Sequence, residues 1–185
     1  DLKLDDTNEH PLVRAIAALD DLETFHIEQG DGHREAALEA RLERLRRLHQ
    51  AFTDDHERAQ IVASLQALLP AYRSLPWWSL GMALLSELVR EGSKDLRRAH
   101  EVASEGQRAY PDSVGGGICA GQLRALEAAD FHLEGMASDG LAQRSLRVRH
   151  KNLPKLHFRA YAANLIERIE SSRDYNLLHS ANEQL

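Results

Sequence analysis

What the sequence lacks narrows its class before any motif is read. It has a single cysteine, Cys119, so no internal disulfide can form and the redox compartment is unmarked. Aromatic residues make up 5%, and Val plus Ile come to only 12 of 185 residues, against 29 Leu and 25 Ala. β-Branched residues suit pleated sheets, whereas Leu and Ala favour helices. That scarcity argues against an all-β fold, and against a parallel-sheet enzyme whose buried strands need Val and Ile runs. No apolar run approaches about 18 residues, so no stretch reads as a membrane-spanning helix. A basic excess is missing too. Lys and Arg number 23 against 29 Asp and Glu, a net charge of −6 with a pI near 5.9. A general nucleic-acid binder would carry a basic patch or stripe instead. The remaining composition, 43% hydrophobic and 28% charged, is that of an ordinary globular chain able to bury a core.

What is present reads as helices. Residues 1–10 are polar and acidic, and are expected to fray. Pro11 suits a first helical position, and Leu12, Ile16, Leu19, Leu22 and Phe25 follow at helical spacing. Gly30-Asp31-Gly32 stops that helix, with Asp31 placed to cap the next, roughly 33–52. Its apolar stripe is Leu38, Leu42, Leu45, Leu48 and Phe52. Thr53 or Asp54 caps a third helix with Ile61, Leu65, Leu68 and Leu69 inward, and Pro70 ends or kinks it. Ser74-Leu75-Pro76 opens a fourth, with Trp77, Leu80, Leu84 and Leu88 on one face. Gly81 in its middle implies close packing, because glycine there costs about 1 kcal/mol against Ala. A fifth helix directs Leu96, Ala99, Val102, Ala103 and Gly106 inward. Trp77, Gly81, Ala99 and Pro111 of helices four and five echo signature positions of a tetratricopeptide repeat, although Trp77 to Pro111 spans 34 residues where the signature allows about 28.

The pattern changes after residue 113. Gly115-Gly116-Gly117 reads as a connection before a short helix over 118–127. Phe131 and Leu133 alternate with His132 and Glu134, as in a short strand. Two further alternating runs, 146–150 and 156–161, flank Lys151-Asn152-Leu153-Pro154 and predict a β-hairpin around that turn. Asn164 is placed to cap a short helix over 165–172. The expectation is a mainly α chain: antiparallel helical hairpins, repeat-like in the manner of a short α-solenoid, over 1–127. A few strands including a hairpin follow over 128–185.

Chemistry-bearing constellations are sparse. Gly115-x-Gly117-x-x-Ala120 follows a helix and a Pro turn, not the strand that a dinucleotide fingerprint requires. The ten His never occur as His-x-x-x-His, so zinc-ligand spacing is absent. Cys119 has no partner motif for nucleophilic catalysis and reads as a small buried hydrophobe. Of Trp77-Trp78, the first reads as core. The second, about 100° further round the helix, faces a neighbouring contact surface. No catalytic, cofactor-binding or metal-ligating residue is assigned. The candidate interaction surface is Trp78, Tyr110, His157, Arg159 and Tyr161.

One order of motifs points to a family. Tyr110-Pro111-Asp112-Ser113-Val114-Gly115-Gly116-Gly117-Ile118-Cys119 is followed by a short strand. The paired run 146–161 comes next, around Lys151-Asn152-Leu153 and ending Phe158-Arg159-Ala160-Tyr161. Over roughly 77–180 this resembles bacterial alpha-2-macroglobulin-like proteins, in which a helical segment precedes a macroglobulin-like β domain. The resemblance implies a large exported protein whose members trap or inhibit proteases, hence an extracytoplasmic setting. Many members carry a Cys-x-Glu-Gln thioester. Ala181-Asn182-Glu183-Gln184 has Ala at the sulfur position, and no thioester or bait residue is carried over. The chain begins at Asp1 without a visible signal peptide, and we expect a piece of something longer, cut one hairpin into the next module. The reading is a non-catalytic module that meets a protein partner or its parent's remaining domains. It binds no nucleic acid and is open to self-association through β edges. The alternative is a free-standing helical adaptor that binds peptides.

Overall fold

Six α-helices and one two-stranded antiparallel sheet make up the described residues, 10–135 and 145–159 with Ile166 and Glu170, of this computed structural model. The chain is mainly helical with a hairpin, as its composition requires. It divides into two compact units, Asp1–Ala129 and Asp130–Leu185.

Helix α1 (Pro11–Glu28) starts at its proline, and His10 Nδ1 accepts from the Leu12 N–H at 3.2 Å. It ends where Gly30 adopts φ 90°, a conformation that only glycine takes at little cost. A 3-10 turn over Asp31–His33 leads into α2 (Arg34–Ala51). Asp31 therefore opens that turn and does not cap α2. α1 packs on α2, which buries Leu38, Leu42 and Leu45. Phe52 leaves the expected stripe because the helix stops at Ala51 and the backbone becomes extended. Asp54 caps α3 (Asp55–Leu68), accepting from the N–H groups of His56 at 2.9 Å and Glu57 at 3.1 Å. Ile61 and Leu65 are buried, and Pro70 lies in a closing 3-10 turn, Leu69–Tyr72.

For helix α4 (Trp78–Gly92) the spacing predicts one buried face. The helix is instead buried nearly all round, with ten of its residues inside. The reason is its central position, packed against α2, α3, α5 and α6. Ser79, Gly81, Ala83 and Ser86 supply the small surfaces that such a helix needs, and Ser86 Oγ donates to the Ala99 carbonyl at 2.9 Å. The side chain of Leu69 fills the space a Cβ would take at Gly81. α5 (Leu96–Ala109) is capped by Asp95, which accepts from the Arg98 N–H at 2.9 Å. Ala99, Val102, Ala103 and Gly106 face inward as spaced, whereas Leu96 stays exposed. α6 (Val114–Glu127) begins earlier than the sequence predicts, with all three glycines inside its first turn. Ser113 marks the start: its Oγ accepts from the Gly116 N–H at 3.0 Å, an N-cap that offsets part of the glycines' poor propensity, while Gly115 and Gly116 sit in close contacts that a side chain would block.

In the second unit β1 (Asp130–Gly135) pairs antiparallel with β2 (Leu146–Lys151), with Phe131 opposite His150 and Leu133 opposite Val148. The sequence predicts 156–161 as the partner of β2. Residues 156–159 form no strand, and Asn152 turns the chain with φ 56°. Strand β1 offers what 155–159 does not: a carboxylate, Glu134, against Arg147 and Arg149. The 155–159 run brings Lys155, His157 and Arg159 and no acid. The expected helix over 165–172 falls outside the described residues except for Ile166 and Glu170, both helical. Residues 1–9, Tyr161 and the Ala181-Asn182-Glu183-Gln184 segment also lie outside them.

Candidate functional site

The 110–119 element fastens α6 to α4. The hydroxyls of Ser79 and Ser113 stand 2.6 Å apart, and each also reaches a carbonyl at 2.8 Å, Pro76 and Tyr110 respectively. Two protons thus serve three contacts. Next to this pair the backbones themselves meet. A Cβ on Gly115 would collide with the main chain of Ser79 and Leu80, and one on Gly116 with the Tyr110 carbonyl. Cys119 is fully buried and its Sγ–H donates to the Ser79 carbonyl at 3.6 Å. Burial pushes its thiol up to about 11, so it stays protonated at neutral pH, although thiolate is the reactive form. The run that reads as a motif in the sequence is therefore a packing joint. Ser113 caps the helix, Gly115 and Gly116 allow two close backbone approaches, and Cys119 is a small buried plug.

Of the expected interaction residues, two sit at this joint. Trp78 is 3% exposed and belongs to the core, not to an interaction surface, while Trp77 is half-buried and packs against that core. The difference at Trp78 follows from α4 being enclosed on several sides, so that the surface about 100° round from Trp77 is also an interior one. Tyr110 is half-buried, edge-on to Trp78 with ring centroids 6.5 Å apart, and its hydroxyl donates to the Arg73 carbonyl at 2.9 Å. Arg73 lies over the Trp78 ring and pairs with Glu105 at 3.0 Å. His157 and Arg159 belong to the second unit and are exposed.

The second unit carries an amphipathic hairpin. The register places Phe131, Leu133, Leu146 and Val148 on one face. The opposite face carries His132, Glu134, Arg147 and Arg149, with Glu134 within 3.7 Å of Arg147 and 3.5 Å of Arg149. On the apolar face Phe131 is 54% exposed, Leu133 43% and Leu146 63%, while Val148 is half-buried.

Sequence reasoning missed two polar groups. Glu23 continues the α1 row of Leu12, Ile16 and Leu19, and is buried between Arg41 at 3.3 Å and Arg44 at 2.7 Å. Arg44 also pairs with Asp20. Burial pushes the Glu23 carboxyl above the usual carboxylate range, with Arg41 pulling the other way. The signal was a lone carboxylate in an apolar row, facing arginines spaced three apart on α2. The other is His49, a buried group in the last turn of α2. Burial first, and then the Arg58 charge, lower its pKa, while Glu91 and Glu87 oppose them.

Among the described residues no three His, Cys, Asp or Glu side chains group as a metal site, and no helix is long and apolar enough to cross a membrane. No family model, curated protein or solved structure matches this chain.

Proposed function

We propose that the chain is a non-catalytic module of a bacterial macroglobulin-like protein, acting outside the cytoplasm in a family associated with protease trapping. Its helical unit serves as a preformed body carried beside a macroglobulin-like β domain, to which the hairpin of β1 and β2 belongs. The observation that carries this reading is the exposure of Phe131, Leu133 and Leu146 on the apolar face of a sheet of two strands. Such a sheet is marginal in water and gains independent stability only from more strands or a second layer. The protein partner is then the remainder of the β domain, joined through the hairpin's apolar face.

Amide hydrogen exchange on the 185-residue chain tests the reading. The amides of β1 and β2 should exchange far faster than those of α4, and become protected when the following β domain is supplied in the same polypeptide. Protection of the hairpin equal to that of α4 in the chain alone would overturn the proposal and favour a free-standing helical adaptor.

A further inference from the structure

The helical unit holds a cleft of about 400 Å3 between α3 and the end of α4, with His49 of α2 in its wall. That volume lies within the range of small-molecule sites, about 300–1,000 Å3. The cleft uses a second face of α3. Asp55, Ala59, Val62 and Gln66 recur at helical spacing beside the buried row of Ile61 and Leu65. Ala59 and Ala63 leave room there, and Leu88 and Val89 of α4 close the far wall, so most of the lining is apolar.

Its polar side chains are His49, Asp55, Arg58, Gln66 and Ser93, and Ser93 Oγ already donates to the Val89 carbonyl at 2.9 Å. Asp55 and Arg58 carry opposite charges that balance, and the Arg58 guanidinium is tethered by its Nε donating to the Phe52 carbonyl at 2.7 Å. His49 is 3% exposed, and its Nε2 is buried with no hydrogen-bond partner among the described residues. Buried polar atoms are almost always paired, so an unpaired one in a cleft wall marks a contact still to be made. Nε2 itself has almost no accessible surface, so a ligand reaches it only once the ring turns about its Cβ–Cγ bond, and that turn is part of the inference.

We propose that this cleft binds a small uncharged molecule, with a compact apolar body against Val62, Ala63, Leu88 and Val89 and one amide or hydroxyl group paired with His49 Nε2. Asp55 and Arg58 balance within the lining, Glu87 and Glu91 disfavour an anion near His49, and taking an ion of either sign into an apolar cleft costs its hydration. An amide or hydroxyl both donates and accepts, so it suits either tautomer of a neutral imidazole. The inference concerns the helical unit alone and stands apart from the reading of the hairpin.

The test is an NMR titration of the full chain, labelled at methyl groups and histidine rings, with benzamide and its charged analogues benzoate and benzylamine. Benzamide should give saturable shifts at the His49 ring and at the methyls of Val62, Leu88 and Val89, and bind at least about fivefold more tightly than either ion. Ala63→Trp, a substitution at an exposed rim position, should abolish the shifts while helix content by circular dichroism stays unchanged. Ala59→Trp provides the same block from one turn away. His49→Phe keeps the ring and should weaken benzamide by about five- to tenfold, the loss of one hydrogen bond. Absence of saturable shifts, equal binding of the charged analogues, or an unchanged affinity in His49→Phe would each overturn the proposal.

Discussion

Helices α4, α5 and α6 meet through small residues, whereas α1 and α2 meet through leucines and an ionic cluster. In the first group Ser79, Ala99, Gly106, Gly115 and Gly116 sit at the contacts, and at Gly115 and Gly116 an added methyl would meet main chain. In the second, Glu23 joins Arg41 and Arg44 across the interface, and long side chains can adjust around it. α1 also leaves Val13, Leu22, Phe25 and Ile27 exposed, and packs on α2 without reaching α4. The same unit thus combines a part fixed at backbone level with a part held by adjustable contacts. Local opening should therefore start at α1 and reach α4 last.

The sharpest way to break this contrast is at the joint. Gly116→Ala should cost about 3 kcal/mol, because its Cβ meets a carbonyl of the main chain and not a flexible tip. Gly115→Ala should cost as much, for it strikes the backbone of Ser79 and Leu80. Urea unfolding followed at 222 nm (the helix signal) measures both, and a midpoint matching wild type would mean that the joint is looser than described.

Glu23→Ala should rank second, at about 2 kcal/mol. The change leaves Arg44, with its side chain 11% exposed, paired to Asp20 alone, and opens a gap where the buried Glu23 side chain stood. Solvent screening lowers the effect at Arg41, which is 35% exposed. Amide exchange should speed up along α1 while α4 keeps its protection. Equal acceleration in both helices would remove the distinction between the two regions.

The same contrast explains what was legible in the sequence. Helix rows of Leu at three- and four-residue spacing are long-range periodic signals, and α2, α3 and α5 fall where that spacing puts them. α4 escaped because periodicity reports one buried face, while this helix is enclosed by four others. The α6 start escaped because three glycines outweigh a single serine in any propensity count, yet Ser113 supplies a cap that the count omits. The partner of β2 escaped because alternation carries no information about partner choice, and β1 precedes β2 by a stretch outside the described residues. The cleft was illegible for a related reason. His49 reads as the polar end of a helix until α3 and α4 close over it.

His49 sharpens the comparison from another side, as it belongs to α2 but is buried near α3 and α4. Its folded pKa lies below the ordinary 6.5, so the neutral ring is the one that the fold accepts. The contribution to stability is complete above pH 6.5 and is lost as pH falls from there through the folded value. Arg58 adds to this shift, and Glu87 and Glu91 oppose it. Urea midpoints of wild type should therefore fall on acidification more steeply than those of His49→Phe. Identical slopes would show that the imidazole stays equally solvated in the folded and unfolded chains.

The smallest expected effect is also the most discriminating, because it comes from the next residue after the two largest. A Cβ at Gly117 meets nothing within 4 Å, although Gly117 lies in the same helical turn as Gly115 and Gly116. Only the backbone term remains there. Alanine limits the unfolded chain and favours the helix by about 0.5–1 kcal/mol, so Gly117→Ala should raise stability by that amount. Gly121→Ala, equally open and one turn on, should do the same. Three neighbouring glycines would then give two losses and one gain for the same added methyl group. That pattern depends on α6 beginning at Val114 with Gly117 turned outward. In the alternative arrangement, with 115–117 as a loop ahead of a helix over 118–127, Gly117→Ala would bring no helix-propensity gain.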